Sequence, residues 1–492
     1  MNPNYRDEHE LFMNHHTGSS PEKVLVVSLI MPLAAFALKL VSPWLWTYDA
    51  SFWVKVITEI VLLVFPLVLC LTIWNSHIIL FISSLSAVCL SLILLNHSIK
   101  CLLGSRKKTY ESNSSFTQSK YVLIPISFSS FINAKCEELT DKPQFITNMR
   151  AHVLLVTAIS ILAVDFPVFP REFAKTEEFG WSLMDVGVGC YVFMNGLVAP
   201  EARGKINQNR WTSVFKTFLS SCPLFVLGFG RLVAIKATNY HEHVTEYGVH
   251  WNFFLTLALT KVICTISLNA LPVYVHVVVP VLYQYLLSHY KMTEYLLSDE
   301  RKGFLHANKE GLWSLFGYTA IYLFAVQVGK LLFKPRDTLK EWLIFLGYLL
   351  LAGGMFWIFM HFSVENIEPC SRRTANLSYV LWMVAFNLII LAVQLAEIIL
   401  TSLLRTQKLM LGPRTILISK DKEKEQYRII VVEAISQNAL LFFLVANVAT
   451  GAVNICVQTL YTSSLIAVII LVCYSSFFMF RSKCFIQVFS AI

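Results

Sequence analysis

Long apolar runs separated by short polar connections recur along almost the whole chain. A helix rising 1.5 Å per residue needs about 20 apolar residues to cross a bilayer. Runs of that kind place helices near residues 24–46, 52–74, 76–96, 151–168, 183–199, 217–236, 249–269, 272–288, 312–333, 342–361, 376–404, 438–456 and 462–480. The pattern predicts an all-α polytopic membrane protein with about thirteen transmembrane helices. Residues 1–23 read as a polar tail, and residues 24–492 as one multi-span membrane domain with polar loops near 97–150 and 405–437. Neither loop is long enough for an ordinary extramembrane domain. The opening residues, MNPNYRDEHELFMNHHTGSS, do not resemble a cleaved signal peptide.

Composition supports the pattern. Of 492 residues, 56% are hydrophobic and 14% charged, against about 25% charged in soluble domains. A soluble enzyme on a single anchor is excluded. The 40 basic and 31 acidic residues leave a net charge of +9, which orients the chain. With a non-cytosolic N-terminus, the cytosolic segments carry 24 Lys and Arg and the opposite side carries 10, so the C-terminus is expected in the cytosol. Lipid headgroups account for that charge without nucleic acid. The eleven cysteines are scattered, with no CxxC pair, and suggest neither a disulfide framework nor a metal cluster. No motif or helix spacing repeats between the halves, which weighs against many secondary-transporter designs.

Several familiar catalytic signatures are missing. The chain has no GxSxG elbow, no phosphate-binding GxxxxGK[ST] loop and no HxxxxD spacing, and HEHVT at 241–245 has Thr245 where a zinc helix needs histidine. What remains is a set of polar residues at helix ends on the expected non-cytosolic side. In ILAVDFPVFPREFAK, residues 161–175, Asp165 ends an apolar helix, Pro167 and Pro170 turn the chain, and Arg171 and Lys175 follow. A carboxylate placed there can take a proton from a hydroxyl, and the cations can meet a phosphate or an oxyanion. The alternative is a helix-end carboxylate paired with a snorkelling cation.

Residues 230–254, GRLVAIKATNYHEHVTEYGVHWNFF, bring Arg231, His243, Glu246, His250 and Asn252 to a short connection. A helix starting near His243 would align His243, Glu246 and His250 on one face; a substrate rim suits them better than a metal site. LHANKEGL at 305–312 adds Asn308, and SRRTANL at 371–377 adds Arg372 and Arg373, which serve either as a phosphate-binding fork or as headgroup anchors. Asn447, Gly451 and Asn454 read as packing residues between helices.

These segments, together with WSLMDVGVG at 181–189 and LWSLFGY at 312–318, resemble the motifs of the PIG-W family, the inositol acyltransferases of glycosylphosphatidylinositol (GPI) anchor synthesis. The resemblance runs from about residue 24 to 480. It implies an endoplasmic reticulum membrane enzyme with a lumenal N-terminus. Such an enzyme moves palmitoyl from palmitoyl-CoA, a co-substrate, to the inositol 2-hydroxyl of glucosaminyl-phosphatidylinositol, with no cofactor and no metal. By resemblance, Asp165 and Lys175 are the catalytic pair. His250 and His243 are the runner-up bases, because imidazole needs less pKa adjustment to work near neutral pH. Arg171, Arg231, Arg372 and Arg373 are the candidates for the phosphodiester or the CoA phosphates. Where the family pattern has a second arginine after Arg171, this chain has Glu172. A lipid or glycolipid flippase using the same polar residues is the competing class.

Overall fold

A computed structural model describes residues 5–14, 16–46, 51–111, 144–204, 210–238, 246–272, 275–298, 300–406 and 429–480. Among them every regular element is helical, apart from one isolated antiparallel bridge between Ser19 and Trp181. Ten described helices are long and apolar enough to cross a membrane, and Leu183–Leu197, Val277–His289 and Ser464–Phe477 are shorter apolar helices. Each of the thirteen predicted runs falls on one of these. Many large apolar side chains point outward, including Ile79, Leu80, Val226, Val233, Leu351, Ile358, Val448 and Ile455. That is the surface a hydrocarbon solvent stabilises.

Contacts divide the chain into two compact units. The first comprises residues 1–25, 171–335 and 348–389. Its centre is the pairing of Leu183–Leu197 with Lys309–Leu332. Small residues allow close approach there: a Cβ on Gly196 would lie 2.5 Å from the Tyr322 carbonyl oxygen. Tyr318, Tyr322, Tyr379 and Trp382 fill the surrounding interior.

The second unit comprises residues 26–170, 336–347 and 390–492. Helix Gln144–Ala163 packs against Ile430–Gln437, Ala439–Cys456 and Ser464–Phe480. Three ionisable side chains are fixed inside this unit. Lys39 Nζ lies 2.8 Å from Glu397 Oε1, with both side chains 4% exposed. The Glu59 carboxylate, at the start of a π-helical turn over Ile60–Val64, accepts hydrogen bonds from the backbone N–H groups of Ile430 (2.9 Å) and Val431 (2.8 Å). It thereby satisfies donors that a helix start leaves open.

Several boundaries differ from the sequence reading: helix Ile78–Glu111 runs into the stretch read as the 97–150 loop, and Arg210–Thr238 and Leu339–Asn366 outrun their apolar cores. Three further differences have a local reason. Helix Gln144–Ala163 begins before the apolar run, because polar Gln144, Thr147, Asn148 and Arg150 extend the same helix. Residues 430–437 form a helix within the stretch read as a loop, since IVVEAISQ has a buried apolar face and receives the Glu59 cap. The helix after the 239–252 connection starts at Phe253, where Asn252 Oδ1 accepts from the N–H groups of Phe254 and Leu255.

The Lys39–Glu397 pair generates a stability prediction. Lys39→Met leaves a buried carboxylate unpaired and is expected to cost about 3–5 kcal/mol. Lys39→Met combined with Glu397→Met should cost clearly less, as read by thermal unfolding in lipid nanodiscs.

Candidate active site

The helix read as carrying Asp165 to the prolines ends earlier, at Ala163, so Asp165 lies in the turn that follows it; the chain then passes Pro167 and Pro170 through further turns into a short 3-10 turn at Arg171–Phe173. Phe166, Phe169 and Phe173 are each fully buried. Asp165 belongs to the second unit and Lys175 to the first. Asp165 is 8% exposed, and its Oδ2 accepts a hydrogen bond from Asn454 Nδ2 at 2.8 Å. Asn454, read from the sequence as a packing residue, is therefore a direct partner of the candidate base. Gly451, read the same way, faces open space.

Within the first unit, Lys175, Glu246, Arg372 and Asp185 form a chain of alternating charge. Lys175 Nζ donates to both Glu246 carboxylate oxygens at 2.8 Å. Arg372 donates from Nη1 to Glu246 Oε1 at 3.3 Å and from Nε to Asp185 Oδ1 at 2.8 Å. Asp185 is fully buried, and its other oxygen accepts from the Thr176 hydroxyl (2.7 Å) and backbone N–H (3.2 Å). One carboxylate thus fixes both the guanidinium and the residue next to Lys175. Ser182 caps helix Leu183–Leu197 by accepting from the Asp185 N–H at 3.1 Å, which sets Asp185 in the first turn. Burial pushes the Glu246 carboxyl up, but the charges of Lys175 and Arg372 and the Lys175 hydrogen bond outweigh that and hold it at about 2. Arg231, exposed on the preceding helix, adds to the same field.

The loop carrying Arg372 is shaped from both ends. Asn376 Oδ1 accepts from the Ser371 N–H (3.2 Å) and the Tyr379 N–H (3.1 Å), and Ala375 adopts φ 47°. Gly317 lets this loop lie on helix Lys309–Leu332, because a Cβ there would sit 1.9 Å from the Ala375 carbonyl oxygen. Arg373, beside Arg372, turns to a different partner: its Nη2 is 3.3 Å from Glu310 Oε1. Arg301 holds the same carboxylate with two hydrogen bonds, at 2.7 and 3.2 Å.

The other predicted residues divide by what they touch. Arg171 lies over the Phe12 ring, 4.1 Å from its centroid, and Glu172, the departure from the family pattern, pairs with Lys23 at 2.6 Å. Asn252 also donates to the Gly228 carbonyl, and Asn308 accepts from the His250 N–H at 2.7 Å and donates to the Phe304 carbonyl. Both asparagine side chains are engaged with backbone. Glu246 and His250 lie in turns before Phe253, so the single helix face expected for them does not form. His243 lies outside the described residues. The buried His250 Nδ1 has no hydrogen-bond partner. Among the described residues no group of three His, Cys, Asp or Glu is arranged to hold a metal.

Sequence reading missed Asp185, Thr176, Arg301 and Glu310. The Ser182-Leu-Met-Asp185 pattern is a helix-start signature that could have located the first. The other three become recognisable only through contacts with residues distant in sequence.

The family profile described as GWT1 matches residues 5–484. The chain is 32% identical to the mouse (Mus musculus) glucosaminyl-phosphatidylinositol-acyltransferase PIGW, covering 94% of each protein. It is 32% identical to the human (Homo sapiens) protein of that name over 88% of each. A GPI-anchored wall transfer protein 1 of Aspergillus fumigatus is 31% identical over 97% of this chain and 96% of its own length.

Two outcomes follow from the ion network. Asp185→Asn removes a buried counter-charge from Arg372 and is expected to cost about 3 kcal/mol of stability, measured by thermal unfolding. For Glu246, the folded-state value of about 2 lies below the ordinary 4.5, so the ion pair contributes fully above about pH 5 and weakens as pH falls toward 2. The stability gap between wild type and Glu246→Gln, about 2 kcal/mol with Lys175 half-exposed, should stay constant from about pH 5 to 8 and narrow below 4.5.

Proposed function

The chain belongs to the GWT1 family, and from that premise we propose that it is an inositol acyltransferase of GPI-anchor synthesis. In this reading it transfers a fatty acyl group, palmitoyl above all, from acyl-CoA to the inositol 2-hydroxyl of glucosaminyl-phosphatidylinositol. It works in the endoplasmic reticulum membrane, with its N-terminus lumenal and its C-terminus cytosolic. The observation that carries the reading is the match, over nearly the whole length, to relatives named for this acyltransferase. The multi-span bundle supports it, because both substrates are amphipathic and must meet at a membrane.

The reaction needs a base for the hydroxyl, a positive site for the oxyanion and a place for a phosphate. Asp165 is the proposed base. It removes the proton from the inositol hydroxyl as the oxygen attacks the thioester carbonyl, and the C–S bond then breaks. The departing CoA sulfur takes that proton back from Asp165, so no covalent acyl-enzyme and no cofactor is required. The Asn454 hydrogen bond orients the carboxylate. Lys175 is the proposed oxyanion partner, and its hold on Glu246 fixes where the ammonium stands. Arg171 and Arg231 remain candidates for the phosphates of CoA. A flippase built on the same residues would move glycolipid without making an acylated product.

Purified protein should consume palmitoyl-CoA only when glucosaminyl-phosphatidylinositol is present. Asp165→Asn should lower kcat by about 100-fold or more with the melting temperature retained. Near-normal turnover in that variant would remove Asp165 as the base. Lys175→Met should lower kcat; a change confined to KM would move Lys175 from chemistry to binding. Glycolipid transport without acyl product would replace the enzyme reading with the flippase.

A further inference from the structure

Arg372 and Arg373 are neighbours in sequence with opposite electrostatic situations. Arg372 lies between Asp185 and Glu246, two carboxylates that with Lys175 make a balanced set of two cations and two anions. Arg373 shares its single carboxylate, Glu310, with Arg301. Lys309, 1% exposed, adds a third cation beside them, and its ammonium is met only by uncharged oxygens, the Tyr295 carbonyl and the Ser298 carbonyl and hydroxyl, at 2.6–2.8 Å. Three cations therefore stand against one buried carboxylate. Glu178 and Glu300 act on this group from exposed positions, where water screens them.

Arg373 is also incompletely satisfied. One Nη donates to Glu310 and the other to the Glu177 carbonyl at 3.3 Å, while its buried Nε has no partner. A buried guanidinium N–H left open is costly unless something accepts from it. Burial pushes the Arg373 guanidinium down, with Glu310 acting against it, whereas Asp185 and Glu246 outweigh burial and push Arg372 up.

Resting on the acyltransferase reading, the geometry points to Arg301 and Arg373, braced on Glu310, as the fork that binds the phosphodiester of the glycolipid acceptor, with Arg372 as a positioning cation that binds no substrate. A phosphodiester carries one negative charge and non-bridging oxygens that accept from guanidinium groups, which suits a site with surplus cations and an open Nε. Arg301 is 17% exposed and gives the anion an approach that Arg373, at 7%, does not. The pairing suits the reaction chemically. The inositol 2-hydroxyl is vicinal to the carbon bearing the phosphodiester, so fixing the phosphate also fixes the hydroxyl. Arg373 adjoins the residue whose carboxylate partner holds Lys175.

The test uses full-length protein in nanodiscs, with Arg301→Gln and with Arg373→Lys, which keeps the charge and loses the planar fork. Each is expected to raise both the KM and the directly measured Kd for glucosaminyl-phosphatidylinositol by about ten- to hundredfold. The kcat and the KM for palmitoyl-CoA should stay within about twofold. An unchanged acceptor Kd, or a rise confined to the KM for palmitoyl-CoA, overturns the assignment; the second outcome hands the fork to the CoA phosphates. If a variant fails to fold, a photoreactive glycolipid with its crosslinker beside the phosphate is applied to wild type. Labelling within residues 301–310 or 371–376 supports the site, and labelling only elsewhere overturns it. Glycolipid bound by wild type through this fork without any acyl transfer would sink the acyltransferase reading and leave the phosphodiester site standing.

Discussion

A guanidinium removed from water must be matched by charge on every side, and Arg372 shows what that requires. Its two carboxylate partners come from different segments, Asp185 from the start of one helix and Glu246 from a turn. Each partner has a second obligation, Asp185 to Thr176 and Glu246 to Lys175. Loop 371–376, the turn before Phe253 and the segment after the 167–170 prolines are therefore held by one electrostatic arrangement. Lys175, half-exposed, is held at its ammonium by this arrangement.

The balance also separates residues that look alike in sequence. Two consecutive arginines invite a common role, yet their carboxylates differ in number and in how they are shared. Asn252 and Asn308 look like polar contacts at a rim, but both complete backbone hydrogen bonds that a turn and a helix start leave open. Asn454 shows the reverse. A polar side chain within an apolar helix reads as packing until the carboxylate it meets is known.

The helices were legible because lipid imposes one rule along the whole chain: apolar, long enough and internally hydrogen-bonded. Ten of the thirteen runs meet it in full and three form shorter apolar helices, and the two prolines after Asp165 lie within the run of turns found there. The site was legible only in part. Asp165, Lys175, Arg372 and Arg373 stand out as charges at helix ends, and the motifs containing them carried the family resemblance that the comparisons bear out. Their partners did not stand out. Asp185 and Glu310 lie in the first turns of helices, where acids are common for dipole reasons alone, so their pairing with residues 187 and 63 positions away leaves no local trace.

The Glu59 carboxylate, which caps the helix beginning at Ile430, has a consequence for how the protein is made. Its partner is 371 residues further along the chain. At about 5–20 residues per second, a ribosome needs roughly 20–75 s to deliver it. Lys39 waits almost as long for Glu397. During that interval the early helices of the second unit hold an acid and a base without their native partners. Both native partners lie in the last fifth of the chain, so a truncation before Glu397 leaves Lys39 and Glu59 without the contacts that hold them in the complete fold.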